Sequence, residues 1–121
     1  KRANVGVICC PSAAIGMRQL RGVMTPTTNS IARVLELCAA GLHVRLGSDN
    51  LADMLSPSST AVLTDEVFML SAALRYYDID VLAKLACGHP LSKDDIQSIQ
   101  AHLEANDVEM AKAIRRWGPL A

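Results

Sequence analysis

The chain has 121 residues, enough for one modest domain with its own core, and half of them are hydrophobic, which excludes a disordered polymer. Twelve Lys and Arg balance twelve Asp and Glu, so no net basic field draws nucleic acid. The few aromatics, Phe68, Tyr76, Tyr77 and Trp117, also make a base-stacking platform a poor fit.

No apolar run approaches the ~20 residues that span a bilayer, and nothing resembles a signal peptide, so a cytoplasmic protein without a membrane partner is expected. The first residue is Lys1 rather than Met, as expected of a trimmed chain or a piece of a longer one. Cys9, Cys10, Cys38 and Cys87 lack CxxC spacing, and buried free thiols in a reducing compartment are expected rather than a zinc site, with a vicinal redox pair at Cys9-Cys10 as the alternative.

Asn4 to Cys10 is apolar at nearly every position and is closed by Pro11-Ser12, the pattern of a parallel strand buried on both faces. Adjacent Cys9 and Cys10 point to opposite sides of such a strand. Ser12 to Thr28, with Gly16, Gly22 and Pro26, is a long loop of the kind that often carries function, and it holds a local basic pair, Arg18 and Arg21.

Asn29 or Ser30 is placed to cap a helix in which Ile31, Val34, Leu35 and Cys38 form one apolar stripe and Gly41 ends the run. Leu42 to Leu46 alternates as a second strand, with Leu42, Val44 and Leu46 on one side and His43 and Arg45 on the other. Strand, helix, strand in this order predicts a parallel βαβ pair.

A second long loop, Ser48 to Leu63, precedes a helix capped by Thr64, with Asp65 and Glu66 in its first turn and Val67, Leu70, Leu74 and Tyr77 on its buried side. Met17, Met24 and Met54 lie in the two long loops, suited to loop packing or to an apolar pocket lining. Asp78 interrupts the helix before a further one, Ile79 to Cys87, closed by Gly88. Ser92-Lys93-Asp94-Asp95 has the form of a capping box with Asp in place of Glu. Its helix turns Ile96, Ile99 and Leu103 inward, and Asn106-Asp107 is expected to reset the chain into a last short helix ending near Trp117.

A helix, a turn, a short strand and then an acid form the repeating unit of an α/β barrel, whose chemistry sits at the C-terminal ends of its strands. The fold class expected is α/β: the C-terminal portion of a (β/α)8 TIM-type barrel over residues 1–88, helix-rich with two parallel strands, followed by a helical extension over 89–121. Two strands make no stable sheet alone, so the rest of the barrel, or other chains, are expected partners and the isolated form is expected to be an oligomer. Asp49, just past the second strand, is the first candidate for chemistry.

The segment from Val5 to Pro57 resembles the seventh and eighth strand units of the amidohydrolase superfamily, and within it the cytosine deaminase branch. The matching residues are Cys10-Pro11 at a strand end, a loop with Gly, Arg and Pro, the helix Ile31-Ala32-Arg33-Val34-Leu35-Glu36-Leu37, and Gly47-Ser48-Asp49. The resemblance implies a metal-dependent hydrolase or deaminase. Its small-molecule substrate would be a cyclic amide or an amino-substituted heterocycle, cleaved at a C–N bond, and its divalent metal zinc or iron.

By that resemblance Asp49 is a metal ligand and the shuttle for the proton of the attacking water, a role consistent with how a metal and an adjacent carboxylate divide hydrolysis. Substrate contacts are expected from Asn50, Ser12, Arg18 and Asp53. Ser12 is as well suited to capping, and Asp53 to an Asx-turn. Ser48 has no activating base nearby in sequence and receives no catalytic role.

The family's other ligands, a His-x-His pair and two strand-end histidines, have no counterpart here. His43, His89 and His102 do not replace them, so the chain alone is expected to be inactive. Asn50 stands where cytosine deaminase has a second acid, which weighs against cytosine itself. The alternative reading is a non-enzymatic helical interaction or dimerisation module built on Ser92 to Trp117.

Overall fold

A computed structural model describes residues 5–16, 30–51, 54 and 59–117. The architecture is mixed α/β with helices dominant. Strand β1 (Val7–Cys9) leads into helix α1 (Pro11–Gly16), and α2 (Val34–Ala39) leads into β2 (Val44–Leu46). Three helices follow: α3 (Leu63–Leu74), α4 (Ile79–Cys87) and α5 (Lys93–Trp117).

The two strands pair in parallel, Val7 with Val44, Ile8 with Arg45 and Cys9 with Leu46, as the strand–helix–strand order requires. The pair is extended at both ends: the Val7 amide donates to the His43 carbonyl and the Gly47 amide to the Cys9 carbonyl, each at 2.9 Å. No further strand joins the sheet among the described residues.

Among the described residues, one side of the sheet is closed and the other is not. Cys9, Val44 and Leu46 are buried in a cluster with Val34, Leu35 and Cys38 of α2, Leu70 of α3, Val81, Leu82 and Leu85 of α4, and Ile99 of α5. Ile8, beside its buried neighbour Cys9, is 66% exposed, and Arg45 opposite it is also exposed. The expectation that the first strand is buried on both faces is therefore corrected: Ile8 and Val5 face solvent in this chain.

Local chemistry explains several boundaries. Gly41 and Gly88 both adopt positive φ after their helices, 75° and 70°, a conformation that costs a side-chain-bearing residue. Asp78 caps α4 by accepting from the Val81 amide at 3.2 Å. The capping box at α5 forms reciprocally: the Asp95 amide donates to Ser92 Oγ at 3.1 Å and the Ser92 amide to Asp95 Oδ2 at 2.7 Å. Asp95 also receives the Lys84 ammonium at 2.7 Å, which joins α4 to the first turn of α5. That hydrogen bond holds the Asp95 carboxyl below its ordinary range.

Four further sequence expectations are corrected. The helix expected from Asn29 or Ser30 starts at Val34, with Arg33 as its uncapped N-cap, because the Ser30 hydroxyl donates instead to the Ala14 carbonyl of α1; Asn29 lies outside the described residues. Thr64 does not cap α3; Val62 occupies that position, and Thr60 donates to Asp65 Oδ2 at 2.6 Å across the entry turn.

Tyr77 is 68% exposed, and Tyr76 is the buried tyrosine. Arg75 leaves α3 with φ 52°, so the helical phase ends at Leu74 and the next residue swings into the core. There its ring meets His102 edge-on, with centroids 4.9 Å apart. Finally, Asn106-Asp107 resets nothing: α5 runs unbroken for 25 residues. Asn carries only a mild helix penalty, and here its side-chain amide meets His102 Nε2 one turn earlier at 2.8 Å.

Cys38 lies at the centre of the core, 1% exposed, and burial pushes its thiol up to about 11 from 9.0. The unfolded chain releases this proton first, so the contribution to stability is full below pH 9.0 and is lost as pH rises toward about 11. Urea unfolding across that window is expected to show the decline, and Cys38→Ala, although less stable at neutral pH, is expected to make it shallower, the remainder coming from Cys9 and Cys10, whose thiols are raised as well.

Candidate functional site

The parallel pairing places the residues after β1 and those after β2 side by side at one edge. After β1, the Cys10 carbonyl accepts from the Ala14 amide at 3.0 Å and starts α1, with Pro11 in the first helical position, where no amide hydrogen is missed. After β2 the chain passes through Gly47 and Ser48 to Asp49, which is exposed and adopts φ 59°. Asp is one of the few residues that enter this left-handed region readily.

Gly47 has a specific steric task. A Cβ there would lie 3.0 Å from Ile8 Cγ2 and 3.4 Å from Cys10 Sγ, so the absence of a side chain lets the two strand ends close together. The Cys10 thiol is raised first by burial and then by the charges of Asp49 and Glu66; a hydrogen bond with the Asp49 backbone partly opposes this. Cys10 is therefore a poor nucleophile at neutral pH, and it marks Asp49 and Glu66 as its electrostatic neighbours. Cys9, on the other side of the strand, is buried in the core, as the alternation of a strand dictates; the expectation of four buried thiols is corrected, since Cys10 is half-buried and Cys87, at the end of α4, is exposed.

Glu66 is the residue that sequence reasoning did not single out. It stands in the first turn of α3, yet it is only 3% exposed. Its carboxylate accepts the Ser12 amide at Oε2, at 2.9 Å, and the Ser12 hydroxyl at Oε1. It thus caps α1 from 54 residues away, satisfying an amide that the helix leaves open. One signal was present in the sequence: Glu66 lies four residues before Leu70, on the same helical line as a core residue.

The predicted site residues divide accordingly. Asp49 and Ser12 come to the same strand-end edge, and Asn50 follows Asp49 as an exposed residue. Ser12 is half-buried, and its hydroxyl and amide are both committed to Glu66, the capping alternative of the sequence reading. Arg18 and Asp53 lie outside the described residues, as do Met17 and Met24, and Met54 is exposed. Ser48 offers its carbonyl to the Ser59 hydroxyl at 3.4 Å. His43 and His89 are exposed, and His102 is half-buried against Tyr76.

Among the described residues no three His, Cys, Asp or Glu side chains come together to hold a metal ion. Asp49 supplies one carboxylate, and Glu66 is engaged elsewhere, so these residues do not by themselves fit a metal centre. The edge provides an exposed acid on a constrained turn, a buried acid that orients a serine, and a thiol whose pKa both charges help to raise.

The chain matches no known family model, no characterised protein and no solved structure.

Glu66→Ala is expected to cost about 1–3 kcal/mol, because the Ser12 amide and hydroxyl lose their buried acceptor. Glu66→Gln keeps one acceptor oxygen and is expected to recover most of that loss. Urea unfolding of the two variants beside the parent measures the difference; equal losses would show that the carboxylate charge, not its acceptor role, matters.

Proposed function

We propose that this chain forms one wall of an amidohydrolase-type α/β barrel, part of a hydrolase or deaminase that cleaves C–N bonds of a cyclic amide or an amino-substituted heterocycle. In this reading Asp49 is the strand-end carboxylate that ligates a divalent metal, zinc or iron, and handles the proton of the attacking water. The histidine ligands belong to other strands or other chains, so the 121 residues alone turn over no substrate.

The observation that carries the reading is the placement of Asp49. It follows the second of two parallel strands after Gly47 and Ser48, at the end where barrel enzymes hold their chemistry, beside the strand-end residues of the first. The open side of the sheet supports it. Ile8 is an apolar residue 66% exposed in the middle of a strand, and in a closed barrel such a side chain is covered by the strands opposite. Among the described residues no helix is long and apolar enough to cross a membrane.

Within this site Asn50, Ser12, Arg18 and Asp53 are the proposed substrate contacts. Asn50 offers both a donor and an acceptor, which suits the ring edge of an amide better than a second carboxylate would.

Metal analysis of the purified chain after equilibration with zinc or iron is expected to find well under one equivalent. The coding sequence upstream of Lys1, or a companion chain, is expected to carry His-x-His and two further strand-end histidines. In the completed protein Asp49→Asn is expected to lower turnover about 1000-fold with the fold intact. Stoichiometric metal on the 121 residues alone, or full activity in the Asp49→Asn protein, would overturn the assignment.

A further inference from the structure

Helix α3 is apolar on more sides than its neighbours cover. Beyond its first turn it carries one polar residue, Ser71. Its buried residues are Glu66 and Leu70, and Val67 and Leu74 pack against the core beside them. The opposite side is open: Phe68 is 72% exposed, and Ala72 and Arg75 are exposed as well. A helix that is apolar on every side is a helix covered on every side.

The open side has an ordered chemistry. Asp65, Phe68, Ala72 and Arg75 follow one another at steps of three, four and three residues, so they form one line along the helix. Its order is acid, large apolar, small apolar, base, which is its own complement when reversed. Two copies laid antiparallel, crossing at the level of position 70, set each Phe68 against the other copy's Ala72 and each Asp65 against the other copy's Arg75. Two copies laid parallel set acid on acid, base on base and one phenyl ring on the other.

The charged ends are open to such a partner. The Thr60 hydroxyl donates to Asp65 Oδ2 at 2.6 Å, and Oδ1 has no partner among the described residues. Arg75 forms no ion pair among the described residues.

We propose that the outer side of α3 pairs with the same side of a second copy of this chain, antiparallel, with Phe68 seated over Ala72 and the Asp65–Arg75 pairs setting direction. The contact is isologous, so it closes as a dimer. It goes beyond the hydrolase reading and is independent of it, since Glu66 and the strand ends lie on the other side of α3.

Sedimentation equilibrium of the full chain is expected to show a concentration-dependent dimer. Phe68→Ser removes an exposed side chain, so it is expected to leave the fold intact by circular dichroism and to weaken the dimer roughly 100-fold, because two phenyl rings leave the contact at once. Asp65→Arg and Arg75→Asp are each expected to weaken it roughly 10-fold, since each turns both ion pairs repulsive. Asp at position 75 is compatible with the positive φ there. Mixing these two proteins is expected to restore dimerisation as a heterodimer. The chain that carries both changes is expected to dimerise with itself, although it too lacks the Thr60–Asp65 bond, an outcome that a misfolded variant does not give.

A parent chain that stays monomeric at high concentration would overturn the proposal. So would a Phe68→Ser protein that dimerises as the parent does, which would place the contact elsewhere. Single charge variants that match the parent, or a mixture and a double variant that stay apart, would overturn the antiparallel pairing.

Discussion

Everything at the candidate site depends on the parallel pairing of two three-residue strands. The ladder runs only from the Val7 amide on the His43 carbonyl to the Gly47 amide on the Cys9 carbonyl. Such a ladder is too short to persist by hydrogen bonding alone. It holds because Cys9, Val44 and Leu46 turn one side of it into the common core, where α2, α3, α4 and α5 close over them. The side chains that make the sheet stable are therefore different from those it displays at its end, and the core fixes the register that brings Cys10 beside Gly47 and Asp49.

A second, longer-range tie sets the shape of that edge. Glu66 reaches from α3 to the start of α1 and holds Ser12, while Gly47 leaves room for Ile8 and Cys10. A buried carboxylate is costly unless its oxygens are occupied, so its use here constrains α1 and α3 relative to each other. The result is an edge with two acids in unequal settings. Asp49 is exposed and open to a ligand, whereas Glu66 is enclosed and committed to positioning.

The helices carry a parallel lesson about local signals. The stop at Gly88 and the Ser92–Asp95 box appear where their residues predict, and Asp78, expected only as an interruption, caps α4, because each is satisfied within a few residues by its own backbone. Where a competing partner was available, the local signal lost. Ser30 bonds α1 instead of capping α2, and Thr60 with Asp65 organises the entry to α3 in place of Thr64. At Asn106 the helix continued because a helix penalty of roughly a few tenths of a kcal/mol does not end a run that its neighbours favour.

The sequence by itself determined the order of strand, helix and strand, the parallel sense of the pair, the alternation of β2 and the placement of Asp49 at a strand end. Those features follow from periodicity and from backbone chirality, which act over short stretches of chain. Only the tertiary structure decided that Glu66 is buried and holds Ser12, that Tyr76 rather than Tyr77 enters the core, that no described residue covers one side of the sheet, and that α5 is a single helix with an exposed stretch beyond Leu103. The first three rest on contacts between residues far apart in the chain or on a change of helical phase at one residue, of which local pattern carries little; the continuity of α5 rests on a penalty at Asn106 too mild to end a run that its neighbours favour. Asp49 was legible because strand ends are written locally; its enclosed neighbour was not, because burial is a property of what folds over it.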